Sequence, residues 1–154
     1  MTNLSSELGN NLRLIARLDI KGENLIKSIQ LEGLRVIGPP NEYALKYYLQ
    51  GADELIFNDV VASLYERNSL HDIIQETAKN IFIPITVGGG LRNISDIKDI
   101  LRVGADKVSL NTAVIKNPGL IRDASRKFGS STIIVAIECI KESNDDYLAY
   151  TDNG

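Results

Sequence analysis

The 154-residue chain has no tryptophan, one cysteine, one histidine and four prolines. Its single cysteine, Cys139, excludes an internal disulfide and suits a reducing compartment. No apolar run approaches the roughly 18 residues that a membrane span needs. The segment Met1 to Asn10 is polar and lacks the apolar core of a secretory signal. With 17 Lys and Arg against 20 Asp and Glu, the net charge of −3 excludes the electrostatic footprint of a general nucleic-acid binder. No linker or low-complexity stretch interrupts the chain, whose length fits one domain. The expectation is a cytoplasmic protein of a single domain, residues 1–154, with neither a membrane nor a nucleic acid as partner. What is plentiful is glycine, at 12 residues, and an apolar fraction of 44%, enough for a buried core.

Apolar runs alternate with segments of helical period. Strands are expected at 12–20 (ending at Asp19), 55–60 (ending at Asp59), 83–87, 107–110 and 132–137. These runs are nearly continuous in Ile, Val and Leu, as in parallel sheets buried on both faces by helices. Leu70, Ile73, Ile74, Thr77, Ala78 and Ile81 lie on one helical stripe, and Ser69 with Asp72 resembles a capping box. Ile94, Ile97, Ile100 and Leu101 form a second stripe. Asn117-Pro118 reads as an N-cap followed by proline in the first turn of a helix that carries Leu120, Ile121, Ala124 and Phe128 and stops at Gly129. A first helix is expected over 41–50, ended by Gly51. The long connection from Lys21 to Pro40 reads as a loop bearing Lys27 and Arg35, of a length usually reserved for function.

The order βαβαβαβαβ gives an α/β fold with a parallel sheet, either an open doubly wound sheet or a closed barrel. An internal repeat favours the barrel. Gly51-Ala52-Asp53-Glu54-Leu55-Ile56-Phe57-Asn58-Asp59 matches Gly104-Ala105-Asp106-Lys107-Val108-Ser109-Leu110-Asn111-Thr112, two βα units further on. The plainer explanation is a common helix-to-strand turn. After Glu138 the segment Tyr147 to Thr151 reads as a β-hairpin arm. Four units plus one strand are about the first half of a (β/α)₈ barrel.

Polar residues gather at strand ends, where barrel chemistry sits. Asp19 lies inside an apolar run, where a helix cap has nothing to serve; Asp59 suits either a turn or a ligand contact. Gly88-Gly89-Gly90 lies between a strand and a helix, so its amides suit an anion, with Asn111 and Thr112 as side-chain donors one strand over. A plain tight turn is the alternative. Arg13, Glu54 and Lys107 stand at strand starts with complementary signs and converge if the barrel closes. His71 reads as a surface histidine and Cys139 as packing. No metal and no cofactor is expected.

Together these motifs resemble the cyclase subunit family of imidazole glycerol phosphate synthase. They are Leu18-Asp19-Ile20-Lys21 with Lys27, Thr86-Val87-Gly88-Gly89-Gly90, the two Gly-Ala-Asp strands and Val135-Ala136-Ile137. The resemblance spans Leu12 to Gly154. It implies a TIM barrel that takes ammonia from a glutaminase partner. It also implies a phosphorylated small-molecule substrate, converted to imidazole glycerol phosphate and an aminoimidazole carboxamide ribotide. Asp19 and Glu138 then serve as general acid and base, Glu138 standing where the family has Asp. Gly89, Gly90, Asn111 and Thr112 form a phosphate site, with Lys27 and Asp59 at the substrate. Arg13, Glu54 and Lys107 are three of four residues at an ammonia gate, and Asp106 faces the glutaminase. The fourth gate residue and a second phosphate site are expected beyond Gly154.

Two departures stand out. Glu138 adds a methylene, and Arg17 replaces a small residue. With Leu31-Glu32-Gly33-Leu34-Arg35, the first strand also resembles a paralogous branch that serves sugar amidination in surface-polysaccharide synthesis, whose barrel relays ammonia. The alternatives to a cyclase are therefore this channelling module and an inactive fragment. A lone half-barrel is expected to pair with a second copy or with the missing half.

Overall fold

A computed structural model describes residues 12–29, 33–61, 70–141 and 146–150. Seven strands form one sheet: β1 (Ile15–Lys21), β2 (Asn24–Ile29), β3 (Gly33–Gly38), β4 (Glu54–Asp59), β5 (Ile85–Gly88), β6 (Lys107–Leu110) and β7 (Ile133–Val135). Their spatial order is β3-β2-β1-β4-β5-β6-β7. From β1 through β4, β5 and β6 to β7 every neighbouring pair is parallel. The helices α1 (Pro40–Leu49), α2 (Leu70–Thr77), α3 (Ile94–Arg102), α4 (Thr112–Lys116) and α5 (Gly119–Phe128) fall in the crossovers. Strands β8 (Glu138–Lys141) and β9 (Tyr147–Tyr150) pair only with each other, as an antiparallel hairpin. Among the described residues no helix is long and apolar enough to cross a membrane.

The parallel strands advance in one direction without the reversal of a doubly wound sheet, and the helices pack on one face. Leu18, Ile20, Leu55, Phe57, Ile85, Val87, Val108 and Leu110 join Ala44, Leu70, Ile74, Ile97, Ile100, Leu120 and Ala124 in one core. The alternate residues point the other way. They form two rows across the sheet, Arg17-Ile56-Thr86-Lys107 and Asp19-Asn58-Gly88-Ser109. Most of them are half-buried or exposed, so the expectation of two helix-covered faces is corrected: this is the face that a barrel turns to its axis. The architecture is that of a partial TIM barrel.

The Gly-Ala-Asp repeat has the same geometry in both copies. Gly51 and Gly104 take φ of 92° and 119° and end their helices. Leu14 N–H donates to Asp53 Oδ2 at 2.7 Å, and Ile85 N–H donates to Asp106 Oδ2 at 2.8 Å. Each aspartate amide in turn donates to the same residue's carbonyl, at 2.8 Å in both copies. The motif thus clips the start of one strand to the start of its neighbour, which is more than a generic turn requires.

Several boundaries differ from expectation. The connection after β1 is no loop: Gly22, with φ of 60°, sits in a tight turn, and β2 and β3 extend the sheet as an antiparallel hairpin. Strand β1 starts at Ile15, where pairing with Glu54 begins. Strand β7 stops at Val135, although Ala136 N–H still reaches Leu110 O at 2.8 Å. The short helix α4 was not foreseen, and Pro118 is the N-cap of α5 rather than its first residue. Of the expected α2 capping box, Ser69 lies outside the described residues. The segments 1–11, 30–32, 62–69, 142–145 and 151–154, with Leu31, Glu32 and Thr151, also lie outside them.

Candidate functional site

Two polar groups occupy opposite ends of the inward sheet face. At the strand starts, Glu54 is buried at 3% exposure. Its Oε1 accepts from Lys107 Nζ at 2.8 Å and from Thr86 Oγ1 at 3.0 Å, while Oε2 lies 3.4 Å from an Arg13 guanidinium nitrogen. Arg13, Glu54 and Lys107 thus converge as their spacing suggested. Burial by itself raises the carboxyl of Glu54. The hydrogen bonds from Lys107 and Thr86 and the charges of Lys107 and Arg13 together outweigh it and hold the group below its ordinary value. Thr86 escaped the sequence reading. Its signal was a lone hydroxyl within the apolar run Ile83 to Val87, at the position that faces inward.

At the strand ends, Asp19 Oδ1 accepts from Arg17 Nε at 2.8 Å. Arg17 and Asp19 are two apart on β1 and share its inward face. Two strands away, Gly88 is squeezed between neighbours: a Cβ there would lie 3.0 Å from Asn58 Oδ1 and 3.2 Å from Ser109 Cβ. Gly89 combines a φ of 92° with contact against the Asp59 backbone, so packing alone demands glycine. Gly90 is also left-handed, at φ 69°. Asp59 is buried and its Oδ1 accepts from Val61 N–H at 3.0 Å, which gives it a turn-forming role.

The start of α3 is less open to an anion than its position suggested. Asn93 caps it, accepting from Ser95 N–H at 2.8 Å and Asp96 N–H at 3.0 Å, and Asp96 Oδ2 accepts from Arg92 N–H at 2.9 Å. At the end of β6, Asn111 precedes α4 without a side-chain cap bond, and its Oδ1 is buried with no hydrogen-bond partner among the described residues. Thr112 is the first residue of that helix.

The remaining expected residues are more dispersed. Lys27 is exposed on β2, directly opposite the equally exposed Arg35 on β3. Glu138 opens the β8–β9 hairpin opposite Tyr150 and is exposed, so it continues the hairpin and not the end of β7. Cys139 is exposed rather than packed. His71 is part-exposed beside Asp72, 3.3 Å away. Among the described residues no three His, Cys, Asp or Glu gather as a metal site.

A parallel β/α sheet with a buried ion cluster at its strand starts and a carboxylate beside a glycine turn at its strand ends has the organisation of a barrel enzyme. The family model described as "Histidine biosynthesis protein" matches residues 13–152, and the chain belongs to that family. Imidazole glycerol phosphate synthase subunit HisF of Legionella pneumophila is 60% identical over 144 residues, 94% of this chain and 68% of that protein. The protein of the same name from Staphylococcus saprophyticus is 48% identical over 143 residues, covering 92% of this chain and 57% of its own length. That of Natranaerobius thermophilus is 43% identical over 142 residues, covering 92% and 56%. The chain thus spans little more than half the length of most of the curated relatives it matches.

The Glu54 cluster has a measurable consequence. Because the folded-state carboxyl is lowered, its contribution to stability is full above the ordinary value of 4.5 and is lost as pH falls through the folded value. Urea titrations between about pH 3 and 6 should show that acid step in the parent and a smaller one in Glu54→Gln. Lys107→Ala, which strands a buried carboxylate, should cost about 1–3 kcal/mol at neutral pH. An unchanged denaturation midpoint in Lys107→Ala would refute the assignment.

Proposed function

We propose that the chain carries the first part of the cyclase site of an imidazole glycerol phosphate synthase. In this reading ammonia from a glutaminase partner attacks a phosphorylated imidazole precursor, and imidazole glycerol phosphate and an aminoimidazole carboxamide ribotide are released. The observation that carries the reading is the shared inward face: the Glu54–Lys107–Arg13 cluster lies at its strand starts and Asp19 near its strand ends. Ammonia enters at the first pole and travels along the sheet axis, away from bulk water that would protonate it. Asp19 and Glu138 exchange protons at the reacting ring. Asp106 belongs to the surface that meets the glutaminase. Beside it, the exposed Phe82 supplies an aromatic anchor of the kind interfaces use.

The kinetic test uses the protein encoded by the whole reading frame, with ammonium supplied. Asp19→Asn should abolish turnover, because an amide cannot shuttle a proton. Glu138→Asp should raise it, since a methylene shifts the carboxylate by roughly 1 Å and such displacement costs up to about 100-fold. Full turnover in Asp19→Asn would remove the cyclase reading. The exposure of Glu138 on the hairpin favours a second reading, ammonia relay without cyclisation. It predicts that neither substitution alters delivery of ammonia to an acceptor enzyme.

The phosphate site is proposed at the Gly89 and Gly90 amides, Asn111 and Thr112, with Lys27 and Asp59 nearer the rest of the substrate. The left-handed turn at Gly89 and Gly90 supports this placement, and a phosphate would be met by the Nδ2 donor of Asn111, since its buried Oδ1 is an acceptor. At ten times its dissociation constant, inorganic phosphate should stabilise the fold by about 1.4 kcal/mol. The same rise in Asn111→Ala would place the site elsewhere.

The 154-residue chain leaves Leu12, Leu14, Val36, Ile137 and Ile140 more than half exposed. Such surface drives association of half-barrels with a second copy or with the rest of a barrel. Sedimentation at micromolar concentration should show dimers or larger species; a stable folded monomer is the contrary result.

A further inference from the structure

We infer that Arg17 is a positioning residue of the strand-end site, holding one oxygen of Asp19 so that the carboxylate presents its other oxygen to a ligand in a fixed rotamer. The inference deepens the reading of Asp19 as part of the reacting centre and rests on it. Arg17 and Asp19 lie on the same face of β1, a strand flanked by β2 on one side and β4 on the other. The Arg17 Nε–H donates to Asp19 Oδ1 at 2.8 Å. Lys107 occupies the same row as Arg17, but its ammonium is committed to Glu54 at 2.8 Å, as is the guanidinium of Arg13 at 3.4 Å. Of these three cations, two thereby serve Glu54 and one serves Asp19.

In the 154-residue chain the side chain of Arg17 is 57% exposed and that of Asp19 38%, a setting in which an ion pair contributes little to folding. What the pair does supply is direction. A guanidinium is planar, with its N–H groups at fixed angles, so a hydrogen bond from Nε sets where one oxygen of the carboxylate lies. A lysine ammonium in its place attracts the carboxylate without orienting it. The contact engages only Oδ1. The two inward polar groups are thus built differently. The one around Glu54 is buried and joins four chain segments, whereas the one at Asp19 is local to a single strand.

Two measurements on the whole-reading-frame protein test the inference. In ¹H–¹⁵N spectra of arginine side chains, the Arg17 Nε–H resonance, assigned by its loss in Arg17→Ala, should move in Asp19→Asn. A resonance indifferent to that change overturns the contact. In kinetics, Arg17→Ala should lower kcat by about 10- to 100-fold with little change in KM, as expected of a misplaced reactive group. Added methylguanidinium should restore part of the loss, and Arg17→Lys should not recover the parental rate. Parental kcat in Arg17→Ala overturns the positioning role. Absence of turnover in the parent removes the cyclase reading alone, and the role of Arg17 is then decided by the resonance.

Discussion

The buried carboxylate of Glu54 is the constraint around which the sheet is arranged. A charge with 3% exposure is tolerable only where opposite charge and hydrogen bonds replace water. Glu54 finds them on three other segments: Arg13 ahead of β1, Thr86 on β5 and Lys107 on β6. Sliding any of these strands by one residue turns its partner group to the helix-covered face and leaves the carboxylate unpaired. One side chain therefore fixes register across the sheet, and it does so at the strand starts. The Gly-Ala-Asp clips just below it act in the same sense, tying strand start to strand start through Asp53 and Asp106. The second clip also limits what Asp106 can offer a partner, because one of its oxygens already accepts the Ile85 amide.

Moving up the same face, side chains shrink. Thr86 gives way to Gly88, which has Asn58 and Ser109 at either side, and then to Gly89 against the Asp59 backbone. The glycine turn accordingly has a packing reason that holds whether or not an anion sits there. The self-capped start of α3 shows how little of the helix terminus remains for a ligand, since Asn93 takes the Ser95 and Asp96 amides. An anion at this end must rely on the turn and on Asn111, not on the dipole of α3 alone.

How far the sequence was legible follows from which forces act locally. The parallel strands could be read because their outward residues, Leu55, Phe57, Val87 and Val108 among them, are uniformly apolar. Glu54 and Lys107 could be read because charge at a strand start is conspicuous. The β2–β3 hairpin was missed because a bulge between Leu25 and Ile26 buries two neighbours in succession and breaks the alternation that marks a strand. Thr86 and the Arg17–Asp19 contact were missed for a different reason. A threonine in a strand fits its intrinsic preference and draws no notice. Arg17 and Asp19 fell within one expected strand, but strand period alone does not tell that a side chain folds along its own strand to meet the residue two places on. Glu138 shows the converse: its place after an apolar run suggested a strand end, but the chain had already turned into the hairpin.

The two carboxylates of the inward face show how one sheet separates structural from chemical charge. Glu54 is enclosed, satisfied by three donors and kept ionised, so it has little capacity left to take up or release a proton. Asp19 meets one guanidinium and retains access to solvent and ligand. Proton exchange needs a group that remains reachable and holds a defined orientation, whereas strand registration needs one that is fully paired. In the proposed cyclase reading, Glu54 at the strand starts and Asp19 near the strand ends divide these two demands on a single face. Arg17, which meets Asp19 at a single oxygen, then has the character of a support for that carboxylate, whereas Glu54 is held at both of its oxygens.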